Sequence, residues 1–141
     1  MKTGGGFDLS QHLPYLLRRA HFDGDACFAA LYGTAFTSRQ LALLTVVERL
    51  PGASQSEVAA EIGLDLNTCS DLVVRTVAKG LLRRERSPSD GRSFCLYLSD
   101  EGRAAVREGI AMAPHFEAEV ARRLSAAERD RLKHLLLVGF D

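Results

Sequence analysis

The feature that most constrains this sequence is a pair of helix-start signals separated by a single tight turn. Ser54-Gln55-Ser56-Glu57 is a capping box, in which the serine can accept the backbone N–H of the glutamate and the glutamate can reach back. The helix it opens carries Val58, Ala59 and Ile62 and lasts about two turns, because Gly63 suits the left-handed backbone of a helix stop. Asp65 then caps a second helix that runs to Lys79 and stops at Gly80. Two short helices around Gly63-Leu64-Asp65 predict a helix-turn-helix.

At roughly 100° per residue, Leu66, Cys69, Leu72, Val73, Thr76 and Val77 share one side of the second helix, and Asn67, Thr68, Asp71, Val74 and Arg75 share the other. The first side can pack. The second offers short donors and acceptors near a helix N-terminus, the chemistry that base edges in the major groove select.

The flanking segments extend the pattern. Leu9, Leu13, Leu16, Leu17 and Ala20 recur at helical spacing and predict a first helix from Leu9 to near Gly33, bent around Gly24, with Pro14 tolerated near the first turn. Phe36-Thr37-Ser38-Arg39-Gln40-Leu41 is a second capping box with a hydrophobic staple, and its helix stops before Pro51-Gly52. Leu82 to Arg86 and Arg92 to Leu98 predict a hairpin around the turn-rich tip Ser87-Pro88-Ser89-Asp90-Gly91. Ser99 caps a long helix broken or bent near Pro114, and Ser125-Ala126-Ala127-Glu128 opens a terminal helix ending in Leu135-Leu136-Leu137-Val138-Gly139-Phe140. The order is four helices, a hairpin and two helices. Residues 1–8 read as a mobile, glycine-rich leader.

A chain of 141 residues has room for one domain at roughly 150 residues each. The apolar runs at Leu41 to Val47 and Leu135 to Val138 fall far short of the ~20 residues that cross a bilayer, so no membrane role is expected. Three dispersed cysteines, Cys27, Cys69 and Cys95, suit a reducing, cytoplasmic setting better than a disulfide framework. His12, His21, His115 and His134 lack metal-ligand spacing. With no phosphate loop and no paired nucleophile and base, neither an enzyme, a metal site nor a cofactor is expected.

Charge is informative only locally. Eighteen basic and eighteen acidic side chains cancel over the whole chain. Between Arg75 and Arg92, however, Arg75, Lys79, Arg83, Arg84, Arg86 and Arg92 face only Glu85 and Asp90. A concentrated basic patch on the second helix and the hairpin reads as a phosphate-contacting surface.

These residues carry a family resemblance. Phe36-Thr37-Ser38-Arg39-Gln40, Ser56-Glu57-Val58-Ala59, Leu64-Asp65-Leu66-Asn67-Thr68, Lys79-Gly80-Leu81-Leu82, Ser87-Pro88-Ser89-Asp90-Gly91-Arg92 and Leu96-Tyr97-Leu98-Ser99-Asp100-Glu101-Gly102 together resemble the MarR family over residues 9 to 138. The resemblance implies a mainly α fold with a small β-wing, a winged helix-turn-helix with N- and C-terminal dimerisation helices. It implies dimerisation helices at 9–33 and 99–141 around a winged lobe at 37–98, and a homodimer that reads palindromic double-stranded DNA, commonly as a repressor released by a small ligand or by oxidation.

By position, the resemblance places Asn67, Thr68, Ser70, Asp71, Arg75, Arg84 and Arg86 on DNA, with Arg92 in the minor groove and Asp90 holding its guanidinium. Asp71 departs from the family, where this position is often basic, and Val74 stands where an acid is common. Asp71 can accept from a cytosine amino group or pair with Arg75 one turn on. The apolar residues that encircle the terminal helix exceed what one small domain can cover, which also argues for pairing of two chains.

The switch is less legible. The family's effector site lies between the dimerisation helices and the winged lobe, which directs attention to Tyr15, Arg18, Arg19, His21 and Phe22. Their rings and guanidinium groups suit a flat organic acid, such as an aromatic carboxylate. Cys27 offers a thiol-based peroxide switch as the alternative, although no basic residue adjoins it in sequence. A winged-helix interaction module without DNA binding is the remaining alternative.

Overall fold

The computed structural model describes residues 5–140. The first four residues of the expected leader lie outside them. The element order is a short 3-10 turn Leu9–Gln11, α1 Leu13–Tyr32, α2 Ser38–Arg49, α3 Gln55–Ile62, α4 Leu66–Ala78, β1 Leu82–Arg86, β2 Phe94–Leu98, α5 Asp100–Val120 and α6 Ala126–Phe140. The fold is mainly α with a small β-wing. The first α-helix starts later than its periodicity predicts, because Asp8 accepts the Ser10 N–H and closes a 3-10 turn ahead of it. Pro14 then falls in the first turn, where no N–H is needed. Gly24 and Pro114 interrupt neither α1 nor α5.

Two compact units emerge, residues 32–114 and the paired chain ends outside them. In the unit of residues 32–114, Leu43, Leu44 and Val47 of α2, Val58 of α3, Cys69, Val73 and Thr76 of α4, Leu96 of β2 and Val106 of α5 are fully buried. Thr76 is tolerated there because its hydroxyl donates to the Leu72 carbonyl at 2.6 Å. Thr37 and Gln40 form a reciprocal capping box, and Ser54 and Asp65 accept from the third residue of α3 and α4; at Ser54 only this half of the expected box forms, since the Glu57 carboxylate does not reach back to the Ser54 N–H. Gly63 ends α3 at φ +77°. Ser125 and Glu128 form a further capping box at α6.

β1 and β2 pair antiparallel, Leu82 opposite Leu98 and Arg86 opposite Phe94. A segment after α2 adds to the outer edge of β2, with Gly52 N–H donating to the Leu96 carbonyl, Leu96 N–H to Ala53, and Ser54 bridging Cys95. The hairpin is tied to the helices at one junction. Ser99 donates its hydroxyl to the Gly80 carbonyl at 2.6 Å and accepts the Gly102 N–H at 3.0 Å, while its own N–H reaches the Leu81 carbonyl.

In the unit of the chain ends, Phe28 and Phe116 meet edge to face at 5.4 Å. Arg122 pairs with Asp23, and Lys133 with Glu117. No residue of α6 is buried, and Leu132, Leu135, Leu136, Leu137, Val138 and Phe140 are all exposed.

The junction leaves no room at Gly102, where an added Cβ would lie 1.9 Å from the Leu81 carbonyl oxygen. Because that neighbour is backbone, Gly102→Ala should destabilise by on the order of 1–3 kcal/mol. Gly91→Ala, which meets nothing within 4 Å, is the matched control, and thermal or urea unfolding of the two variants checks the difference.

Candidate nucleic-acid interface

The helix that would read bases is positioned from its first residue. Asp65 accepts the Thr68 N–H through Oδ1 and the Thr68 hydroxyl through Oδ2, both at 2.8 Å. These bonds hold its carboxyl below the ordinary aspartate range, the backbone N–H of Thr68 being the leading cause. The half-buried Thr68 hydroxyl donates to Asp65 and so keeps only acceptor capacity for another group. Asn67, Asp71 and Arg75 are exposed, and Ser70 is half-buried.

The packed side of α4 is narrower than the wheel suggests. Cys69, Val73 and Thr76 are buried, but Leu66 is 57% exposed and Val77 36%. Both sit at the ends of the helix, where neighbouring elements no longer cover them. Burial also pushes the Cys69 thiol up, with the Asp65 charge adding to it. Among the described residues no ion pair joins Asp71 to Arg75, so neither side chain is neutralised by the other.

On the wing, the register puts Arg84 and Arg86 on the same face as Phe94. Both guanidinium groups lie over its ring, 4.2 Å and 5.2 Å from the centroid. Arg86 also donates to the Gly91 carbonyl at 2.7 Å, which ties the strand to the tip. On the opposite face Arg83 pairs with Glu85 and lies over Tyr97. Of the three wing arginines named from sequence, Arg84 and Arg86 are thus the pair held over a half-buried ring, an arrangement that the strand register makes visible.

Asp90 organises the tip, but differently from what the resemblance implies. Its Oδ1 accepts the backbone N–H of Arg92 at 3.0 Å, and no ion pair to the Arg92 guanidinium is formed. The backbone bond is the shorter reach: an aspartate closes a local turn on the amide two residues on. Ser87 N–H donates to the Ser93 carbonyl and Ser93 N–H to the Asp90 carbonyl, completing the turn. Arg92 therefore projects from a fixed backbone with its side chain exposed.

Lys79 of the basic patch is exposed, and its ammonium donates to Gln40 Oε1 at 2.9 Å. The remaining sequence candidates lie on α1. Arg19 rests over the Tyr15 ring at 5.9 Å, His21 meets Asp25 at 3.4 Å, and Arg18 and Phe22 are exposed. Tyr15, Arg18, Arg19 and Phe22 follow the spacing of one helix face.

For Cys27 the fold supplies what the sequence could not. Arg122, far along the chain, donates to both Asp23 and the Cys27 sulfur, the latter at 3.5 Å. Arg122 holds the Asp23 carboxyl below its ordinary range through the hydrogen bond first and its charge second. Among the described residues no group of histidine, cysteine and carboxylate side chains could hold a metal, and no helix is long and apolar enough to cross a membrane.

Comparison with known proteins agrees with this geometry. A MarR family model matches residues 36–93. A protein of Thauera aromatica named for transcriptional regulation of the hcr operon is 30% identical over 130 residues, 91% of this chain and 78% of that protein. The PcaV transcriptional regulator of Streptomyces coelicolor, solved in complex with its natural ligand, superposes with a TM-score of 0.85 at 29% identity over 95% of each chain. The transcriptional repressor CouR, solved on a 23-mer DNA duplex, gives a TM-score of 0.81 at 30% identity over 98% of this chain and 96% of that one.

The lowered Asp65 carboxyl sets a pH dependence. A group whose folded value lies below its unfolded one stabilises above the unfolded value, near 4, and loses that contribution as pH falls toward the folded value. Asp65→Asn keeps a competent cap without the titration. Its stability should therefore fall less steeply than the parent's below about pH 4, as measured by urea unfolding across that range.

Proposed function

The chain belongs to the MarR family of transcriptional regulators, and on that premise we propose that it is a cytoplasmic homodimeric repressor of a palindromic operator, released by a small aromatic carboxylate. The observation that carries the DNA-binding part is the joint presence of the polar face of α4 and the arginine-bearing wing within one compact unit. The capped α4 would enter the major groove, with Asn67, Thr68, Ser70, Asp71 and Arg75 reading bases and the first phosphates. Arg84 and Arg86 would contact the backbone, and Arg92, carried on the Asp90 turn, would reach the minor groove.

Dimerisation is supported by the apolar side chains of α6 and of Leu13, Leu16 and Phe22 on α1, all exposed in the single chain. Pairing helices 9–33 and 99–141 across a two-fold axis would cover them and place two copies of the lobe 37–98 about one DNA turn apart. PcaV in complex with its natural ligand supports a small effector, and the Tyr15, Arg18, Arg19, His21 and Phe22 side chains favour a planar acid that can stack and accept a paired guanidinium contact. A second reading, oxidation of Cys27 by a peroxide, is favoured by the Arg122 guanidinium at its sulfur. Asp23 already balances that charge, which leaves the carboxylate reading ahead.

Operator binding separates the roles. Arg92→Ala should weaken binding to all sequences and reduce the slope of log affinity against log salt by about 0.9, whereas Asn67→Ala should change sequence preference. Unchanged affinity of Arg92→Ala at every salt concentration would refute the wing assignment. For the switch, an aromatic carboxylate at a hundred times its dissociation constant should stabilise the protein by about 2.7 kcal/mol and release operator DNA. Peroxide should leave Cys27 unmodified by mass spectrometry; a sulfenate there, coupled to operator release, would transfer the switch to the thiol.

A further inference from the structure

Gln40 is the one buried side chain of α2 that is polar, 3% exposed. Its position is fixed from two directions. Its Oε1 accepts the Thr37 N–H at 2.9 Å as half of the capping box, and its backbone N–H donates to the Thr37 hydroxyl. A carbonyl oxygen has two lone pairs, and the second accepts the Lys79 ammonium, also at 2.9 Å. Lys79 is the C-terminal cap of α4, where a cation also favours the helix dipole. One amide oxygen therefore joins the first turn of α2 to the last turn of α4.

The sequence counts Lys79 with the basic patch, but its ammonium, though on an exposed side chain, is engaged by a buried amide of another helix. We infer that Lys79 is a positioning residue for DNA recognition: with Gln40 it pins the C-terminal end of α4 and so sets the angle at which the base-reading end is presented. The inference rests on the reading of α4 as the DNA-contacting helix. Asn67 lies twelve residues from Lys79, about 18 Å along the helix at 1.5 Å per residue. A tilt of a few degrees about the pinned end displaces the reading end by about 1 Å, a large error for hydrogen bonds made within a few tenths of an ångström.

A positioning lysine and a phosphate-contacting lysine predict different salt behaviour. A phosphate contact releases about 0.9 counterion per site, so its loss lowers the salt slope by that amount, whereas a lost positioning bond weakens binding at constant slope. The test is Lys79→Met, which keeps most of the apolar stem and removes the charge, on a duplex selected from random DNA by the parent protein. Affinity should fall about three- to tenfold, with the slope unchanged. Gln40→Met, which removes no charge and is not exposed to DNA, should weaken binding similarly. The double variant should be no weaker than the weaker single one, because both substitutions remove the same bond.

A slope reduced by about 0.9 in Lys79→Met, an affinity equal to the parent's, or full additivity of the two substitutions would overturn the inference. If loss of the cap unfolds Gln40→Met, the Lys79→Met slope decides alone, since that side chain is exposed and its removal leaves the capping box whole. A parent protein that selects no duplex would instead sink the DNA-binding reading, and this inference with it.

Discussion

The close approach of α5 to the turn after α4 is the constraint on which the winged unit depends. Gly102 passes so near the Leu81 carbonyl that no side chain fits, and Ser99 bonds to Gly80 and to Gly102 from between them. The end of α4, the first residue of β1, the last of β2 and the start of α5 all lie within these few residues. The hairpin cannot swing independently of α4 without breaking bonds whose partners are partly shielded from water. A two-stranded ribbon alone is marginal. Here the Ala53–Leu96 bonds on its outer edge and the junction at its base turn it into a fixed arm.

Electrostatics in this protein is a matter of arrangement rather than quantity. The chain carries no net charge, yet its wing holds Arg84 and Arg86 over a single ring and leaves Arg92 projecting from a turn shaped by Asp90. Ring and carbonyl contacts restrict the first two before any partner arrives, which lowers the entropy lost on association. Three acidic residues of the region have structural tasks, Asp65 as a cap, Asp90 as a turn former and Glu85 on Arg83, and Asp71 has none of these. Of the three, only Glu85 meets an arginine, while Asp65 and Asp90 keep their charge and direct it at backbone N–H groups.

The fold was legible in the sequence wherever a signal is local. Thr37, Ser54, Asp65, Ser99 and Ser125 announce helix starts because a cap involves residues only three apart, and Gly63 and Gly80 announce stops because a positive φ is a property of one residue. The wing showed through alternation. What stayed hidden required contacts between distant positions: Gln40 with Lys79, Cys27 with Arg122, Ala53 with Leu96. The periodicity of α4 overstated its packed side at Leu66 and Val77, since a wheel knows angles but not where neighbouring elements end. The pairing of Arg84 and Arg86 on Phe94 was within reach in principle, because an antiparallel register follows once Leu82 and Leu98 are both assigned to the core.

That register has a consequence for how the protein avoids misfolding. Seven residues separate the strands, a connection too long to dictate which residues face each other. Slippage by one position would invert β1, turning Leu82 away from Leu96 and Leu98 and out to water while Arg83 and Glu85 took the face that Arg84 and Arg86 now occupy. Charged side chains stand on both faces of β1, so the burial of Leu82, the one buried residue of that strand, is what tells the two alignments apart: a single leucine at the base of the ribbon carries the choice.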